Sequence, residues 1–234
     1  MAISDRRKRE KEHRRQSIID AAEKLFFQKG YDNVSMNDIA NEVELNRATL
    51  YLYFENKEAV CFAVILRGIR LLNKIVKDNV RKAVFGQRIN AMGRAYYNFF
   101  QIYPQYFQVY TIFQSGRFDL SHLDDYEYSE FKNVSGDVRE IIQLQKEIFD
   151  LLHLHIKDEI KRGKVLSDVP GVKRTGIRQD IDSFYATCLV LSTIESMLNP
   201  SPILKKELKD REINKYQFEA LLMHFVTRLL VIKD

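Results

Sequence analysis

Apolar side chains recur at three- and four-residue steps along most of the chain, which is the period of an α-helix. In the first such segment Ile18, Ile19, Ala22, Leu25 and Phe26 make one face. Lys29 and then Gly30 predict its end: a cation in the last turn, followed by a residue that tolerates positive φ. Ser35 with Asp38 three residues on predicts a capping box, Asp being a shorter partner than Glu. Ile39, Ala40 and Val43 then form a short apolar face. Asn46 is placed to cap the next helix, whose inner face would hold Leu50 and either Tyr53 or Phe54. Asn56 is placed to cap a longer one, from Lys57 to about Val84.

Further helices are predicted at about 87–103, 104–115, 136–162, 178–199 and 213–232, and loops at 117–135, 163–176 and 199–211. Pro104 suits a first-turn position and separates two of these helices; Gly163 ends another. No strand alternation or internal repeat stands out. The expected fold class is all-α, with short helices first and long ones after Asn56.

Composition narrows the class. With 45% hydrophobic and 29% charged residues over 234 positions, the chain can bury a core and is not compositionally disordered. Only 9 Gly and 4 Pro exclude collagen-like structure and weigh against an α/β enzyme rich in tight turns. Cys61 and Cys188 lie in apolar helical stretches and read as buried free thiols, which suits a reducing cytoplasm. No run of 18 uncharged apolar residues exists, so no membrane span is expected. The N-terminus has charge without an apolar stretch and is not a secretory signal, so a cytoplasmic location is expected.

The net charge of +5 is unevenly placed. Between residues 5 and 15, Arg6, Arg7, Lys8, Arg9, Lys11, Arg14 and Arg15 face only Asp5, Glu10 and Glu12, leaving four positive charges in excess. Residues 16–58 carry four more acids than cations. A basic arm at 1–13 ahead of such a segment points to an anionic partner, or else to a solvated helix start.

Residues 36–55 have the spacing of two short helices joined by a tight turn. Ile39, Val43, Leu45 and Leu50 supply apolar packing positions, and small Ala40 allows close approach. This leaves Asn46, Arg47, Ala48, Thr49 and Leu52 on the outer side of the second helix. Such a face can enter a major groove about 12 Å wide, although an ordinary αα-hairpin has the same spacing. The string IIDAAEKLFFQKGYDNVSMNDIANEVELNRATLYLYFENKE, Ile18 to Glu58, resembles the TetR family of helix-turn-helix transcriptional regulators. Its landmarks are Ala21-Ala22, Leu25-Phe26, Gly30-Tyr31, Asp38-Ile39-Ala40, Thr49-Leu50-Tyr51, Tyr53-Phe54 and Lys57-Glu58. The family usually has Gly where Glu44 stands. That turn position favours a left-handed backbone, so strain is expected at Glu44.

The resemblance implies a helix-turn-helix DNA-binding domain at 14–60 and a larger helical domain for effector binding and dimerisation at 61–234. Arg47 and Thr49 would read bases, with Ala48 beside them and Asn46 capping, touching DNA, or both. Tyr51, Tyr53 and Lys57 would hold phosphates, joined by Ser35 and Asn37. The arm residues Arg6, Arg7, Lys8 and Arg9 would add non-specific attraction, entering the adjacent minor groove. Phe54 is expected in the core.

Residues 96–131 hold 13 of the chain's 27 aromatic side chains. Some must pack in the core, but rings also line ligand cavities, and members of the resembled family bind small effectors among their central helices. The candidate lining is Tyr96, Phe100, Tyr103, Phe107, Tyr110 and Phe113, with Arg94, Gln114 and Arg117 at a polar end; an apolar or aromatic effector fits such walls. His153 and His155 point about 200° apart on a helix and cannot chelate one metal together. No metal, cofactor or catalytic set is expected, and no enzyme. Two late apolar stripes, with Phe184, Cys188 and Leu191 on one helix and Phe218, Leu222, Phe225 and Leu229 on the other, would pair with a second copy as the resemblance implies. The expected protein is a homodimeric repressor, released from a palindromic double-stranded DNA operator by a small molecule. The alternatives are a transcriptional activator or an architectural DNA-binding protein without an effector.

Overall fold

The computed structural model of the chain describes residues 3–84, 87–115, 118, 136–161, 179–199, 201–214 and 217–218. The helical periods become helices α1 (Ile3–Lys29), α2 (Met36–Glu42), α3 (Arg47–Tyr51), α4 (Lys57–Lys82), α5 (Arg88–Ile102), α6 (Pro104–Gln114), α7 (Gly136–Lys161), α8 (Gln179–Leu198) and α9 (Pro202–Asp210). Among the described residues no strand occurs. No described helix is long and apolar enough to cross a membrane.

The stops and starts are local chemistry. Gly30 ends α1 at φ 78, where a side chain would be strained. Ser35 caps α2 by accepting from the Asp38 amide at 3.2 Å, while Asp38 accepts from the Ser35 amide at 2.8 Å. Asn46 Oδ1 accepts from the Thr49 amide at 2.7 Å, and Asn56 Oδ1 from the Ala59 amide at 2.8 Å, so both predicted caps form. The segment 199–211, expected to be a loop, contains α9. Ser201 Oγ accepts from the Leu204 amide at 3.2 Å and Pro202 sits in the first turn, a start signal that outweighs the polar composition. Asn214 and Gln217 exchange reciprocal bonds of 2.9 Å, capping the start of the helix predicted at 213–232, whose remainder lies outside the described residues. The predicted loop at 163–176 also lies outside them, as does the one at 117–135 apart from Phe118.

The chain forms two compact units, and the division falls inside α4 and α7. The first contains residues 1–71 and 102–144, the second 72–101 and 145–234. In the first unit α1 packs on α2, and α2 on α3. Ile18, Ala22, Phe26, Ile39, Leu50, Phe54, Val60 and Val64 are buried there. α6 joins this unit through contacts of Tyr106. Tyr106 donates to Glu23 of α1 at 2.7 Å, and its ring meets Phe27 edge-on at 5.1 Å. Gly68 on α4 lets that ring close in: a Cβ there would lie 2.5 Å from a Tyr106 ring carbon. Arg67 donates to the same Glu23 at 3.2 Å, pairs with Asp20 at 2.7 Å and donates to Gln16 at 3.0 Å.

In the second unit, α5 buries Met92, Ala95, Tyr96, Phe99 and Phe100. α7 buries Ile148, Leu152, His155 and Ile156, and α8 buries Ser183, Ala186, Thr187, Val190, Ile194 and Met197. His153 Nδ1 lies 3.3 Å from Thr187 Oγ1, tying α7 to α8. The buried face of α8 is therefore not the stripe of Phe184 and Cys188. Phe184, Tyr185 and Leu189 are instead 48%, 65% and 46% exposed.

Candidate nucleic-acid interface

The interface is built on α2 and α3. Leu50 is fully buried, Ile39 is fully buried behind it, and Val43 and Leu45 are half-buried in the connecting turn. These residues hold α3 with its opposite side outward. Asn46, Arg47 and Ala48 are exposed, Thr49 is half-buried and Leu52 is 76% exposed. Phe54 is buried, as expected for core, and Arg15 lies over its ring with the guanidinium carbon 5.0 Å from the centroid.

The turn carries the expected strain. Glu44 has φ 54, in the left-handed region where Gly is favoured. Its amide bonds the Asn41 carbonyl at 3.2 Å, and the Leu45 amide bonds the Ala40 carbonyl at 2.9 Å. This pair closes the C-terminus of α2 as a Schellman motif with Glu where Gly is common. Closing the helix this way aims the chain from Leu45 into α3.

Next to α3 lies a cleft of about 500 Å³ lined by Asp32, Asn33, Ser35, Asn37, Arg47, Tyr51 and Lys57, among others. Five of the residues assigned from sequence thus meet in one concavity, although they span more than twenty positions. Within it Arg47 folds along the helix to Tyr51. Its Nη2 donates to the Tyr51 hydroxyl at 3.2 Å, with the guanidinium carbon 5.4 Å from the ring centroid. Lys57 donates to the Tyr31 carbonyl at 3.1 Å with Nζ 4.2 Å above the Tyr31 ring. Both cations are pre-ordered by an aromatic neighbour and still reach the cleft. Asp38 is held below the usual carboxylate range, first by the Ser35 hydroxyl and then by the Ser35 backbone amide. It therefore stays ionised and keeps the cap closed at the rim.

Tyr53 is half-buried at the end of the motif. Arg6, Arg7, Lys8 and Arg9 are exposed on the first turns of α1, which is helical from Ile3. Sequence reasoning counted Arg14 only as part of the basic segment and did not single out His13; both line a groove facing the turn at Val43, Glu44 and Leu45. Their helical phase and the turn were each readable, but not that the one faces the other.

Of the residues considered for an effector, Tyr96 and Phe100 are buried in the second unit, where their rings meet at 5.4 Å. Tyr110 and Phe113 are buried in the first unit and Phe107 is half-buried. Tyr103, Arg94 and Gln114 are exposed, Gln114 donating to the Tyr110 hydroxyl at 3.2 Å. Arg117 lies outside the described residues. Of those considered for a subunit interface, Phe184 is exposed and Cys188, Leu191 and Phe218 are half-buried. Leu222, Phe225 and Leu229 lie outside the described residues.

Comparison with known proteins meets this geometry at the same residues. Positions 18–64 match the sequence profile described as bacterial regulatory proteins, tetR family. The chain is 32% identical over 133 residues to the biofilm operon icaADBC HTH-type negative transcriptional regulator IcaR of Staphylococcus aureus strain Newman. That match covers 56% of this chain and 65% of the relative, so the chain spans just under two thirds of that relative's length. The fold is similar to the TetR family transcriptional regulator PfmR of Thermus thermophilus, with TM-score 0.56, 18% identity and 93% of this chain covering 96% of that one. It is also similar to FadR of Bacillus subtilis, solved in complex with stearoyl-CoA, with TM-score 0.53, 14% identity, and 92% and 98% of the two chains covered. Residues 18–64 therefore carry the N-terminal domain of the tetR family of bacterial regulatory proteins, followed by a helical body whose fold is similar to those of solved regulators.

Proposed function

We propose that the protein is a homodimeric transcriptional repressor that binds a palindromic DNA operator through α3 and is released by a small effector. The observation that carries the DNA reading is the cleft in which Ser35, Asn37, Arg47, Tyr51 and Lys57 converge beside the outward face of α3. Arg47 offers a fork suited to guanine O6 and N7, a contact worth about 1–3 kcal/mol of discrimination. Tyr51 and Lys57 suit phosphate oxygens, which set register without reading sequence. Repression is supported by the naming of IcaR as a negative regulator.

An effector with a long apolar part is supported by the aromatic side chains of α5 and α6 and by the stearoyl-CoA held by FadR. An effector can shift the protein between shapes only by binding one of them better. α4 starts at Lys57 beside the cleft and contributes residues to both compact units, which makes it the element suited to carry such a shift. The exposed apolar side chains of α8 support pairing with a second copy. Two recognition helices would then sit about 34 Å apart, one turn of duplex.

Selection of bound sequences from random duplex DNA, repeated with fatty acids and acyl-CoA esters, tests the proposal. A two-fold symmetric enriched motif, lost with one of these compounds, is the expected result. Binding without any enriched motif would instead describe an architectural protein.

A further inference from the structure

We propose that the first three turns of α1 bind the sugar–phosphate backbone of duplex DNA as a rigid helix, not as a flexible tail in the minor groove. The inference rests on the DNA-binding reading above and adds His13 and Arg14 to the surface. The observation is a groove of about 830 Å³ whose one wall is Arg6, Arg9, Glu10, His13, Arg14 and Ser17. Val43, Glu44 and Leu45 form the opposite wall.

Steps of three and four residues put the α1 members on one side of the helix. The same side continues to Ile18, which is fully buried, so the rotation of the helix about its axis is set by the core. The opposite wall is the turn that delivers Arg47, two residues beyond Leu45. In a helix-turn-helix the start of the recognition helix meets the bases. Phosphates flanking that point therefore lie next to the groove.

Electrostatics fit a polyanion. Three arginines line the groove, and Arg7, Lys8 and Lys11 lie on neighbouring turns. Two acids line the groove, Glu10, paired with Arg6 at 2.8 Å, and Glu44 on the opposite wall, and Asp5 and Glu12 lie on the neighbouring turns with the further cations. The pairing lowers the repulsion from Glu10 but also occupies Arg6. A helix that is already ordered binds without the backbone entropy cost of about 1–2 kcal/mol per residue that a tail incurs. It also fixes which cations meet phosphate.

Two variants of the full chain separate a helix from a tail. Glu10→Ala and Glu10→Pro change the charge equally, but proline removes the helical bond to residue 6 and clashes with that turn. Position 10 is exposed and two turns before the buried Ile18, so both variants should melt within a few degrees of the parent. Affinity for a duplex selected by the parent chain is measured across a salt series. Glu10→Ala is expected to bind several-fold tighter than the parent, and Glu10→Pro at least tenfold weaker than Glu10→Ala, with a shallower salt slope. Equal affinities and slopes for the two variants would overturn the inference and leave the DNA reading standing. A parent chain that binds no duplex would overturn the DNA reading itself, and this inference with it.

Discussion

Glu44 shows how much one residue can say about a turn. The absence of Gly at a position that resembles a left-handed turn predicted strain, and the backbone has φ 54 there. The conformation persists because two backbone hydrogen bonds close α2 around it. Glu44→Gly is expected to raise the melting temperature by several degrees, since relief of a left-handed non-Gly residue is worth about 1 kcal/mol. It also removes an acid from the groove beside α1, so DNA affinity should rise with it. An unchanged or lower melting temperature would mean that the turn is not strained. Other single residues were equally legible: Gly30, Ser35, Asn46 and Asn56 act on neighbours within four positions, and each does what its type and place predict.

At the scale of elements, legibility falls with sequence distance. Periodicity placed the helices because an apolar stripe is a local pattern. The docking of α6 was not readable. It depends on Tyr106 meeting Glu23 across 83 positions, and on a glycine in α4 that no local rule requires. Burial and the hydrogen bond to Glu23 raise the Tyr106 phenol above its ordinary value, so it remains a donor throughout the physiological range. Gly68→Ala tests the fit. Alanine favours the helix by about 1 kcal/mol over glycine, but overpacking against a fixed ring costs about 1–3 kcal/mol. Gly68→Ala alone should lower the melting temperature, and the same change in a Tyr106→Leu background should raise it. A rise in both backgrounds would show that the ring moves aside freely. α9 was missed for a different reason. A polar, lysine-rich stretch reads as loop, and only Ser201 with Pro202 signalled a start.

At the scale of the whole molecule, the two cysteines report on burial and on pairing. The Cys61 thiol is fully buried, and burial pushes it up to about 12. It should resist alkylation near neutral pH until the protein unfolds, since the thiolate is the reactive form. Cys188 is half-buried within one chain and lies on α8 beside the exposed Phe184, Tyr185 and Leu189. In a dimer built on that face, alkylation of Cys188 should be slow at high protein concentration and faster on dilution. A rate independent of concentration, together with a monomer in sedimentation, would remove α8 from the interface.

In the proposed function α3 is held outward so that Arg47 would read bases while Lys57 would hold phosphate. The most direct test compares Arg47→Ala with Lys57→Ala on the selected operator and on all its single-base variants, at several salt concentrations. Arg47→Ala is expected to cost about 1–3 kcal/mol at one base pair of each half-site and to erase discrimination there; Lys57→Ala should weaken every sequence alike and reduce the salt slope by about one. If Arg47→Ala leaves the ranking of sequences unchanged, the outward face of α3 does not read the operator.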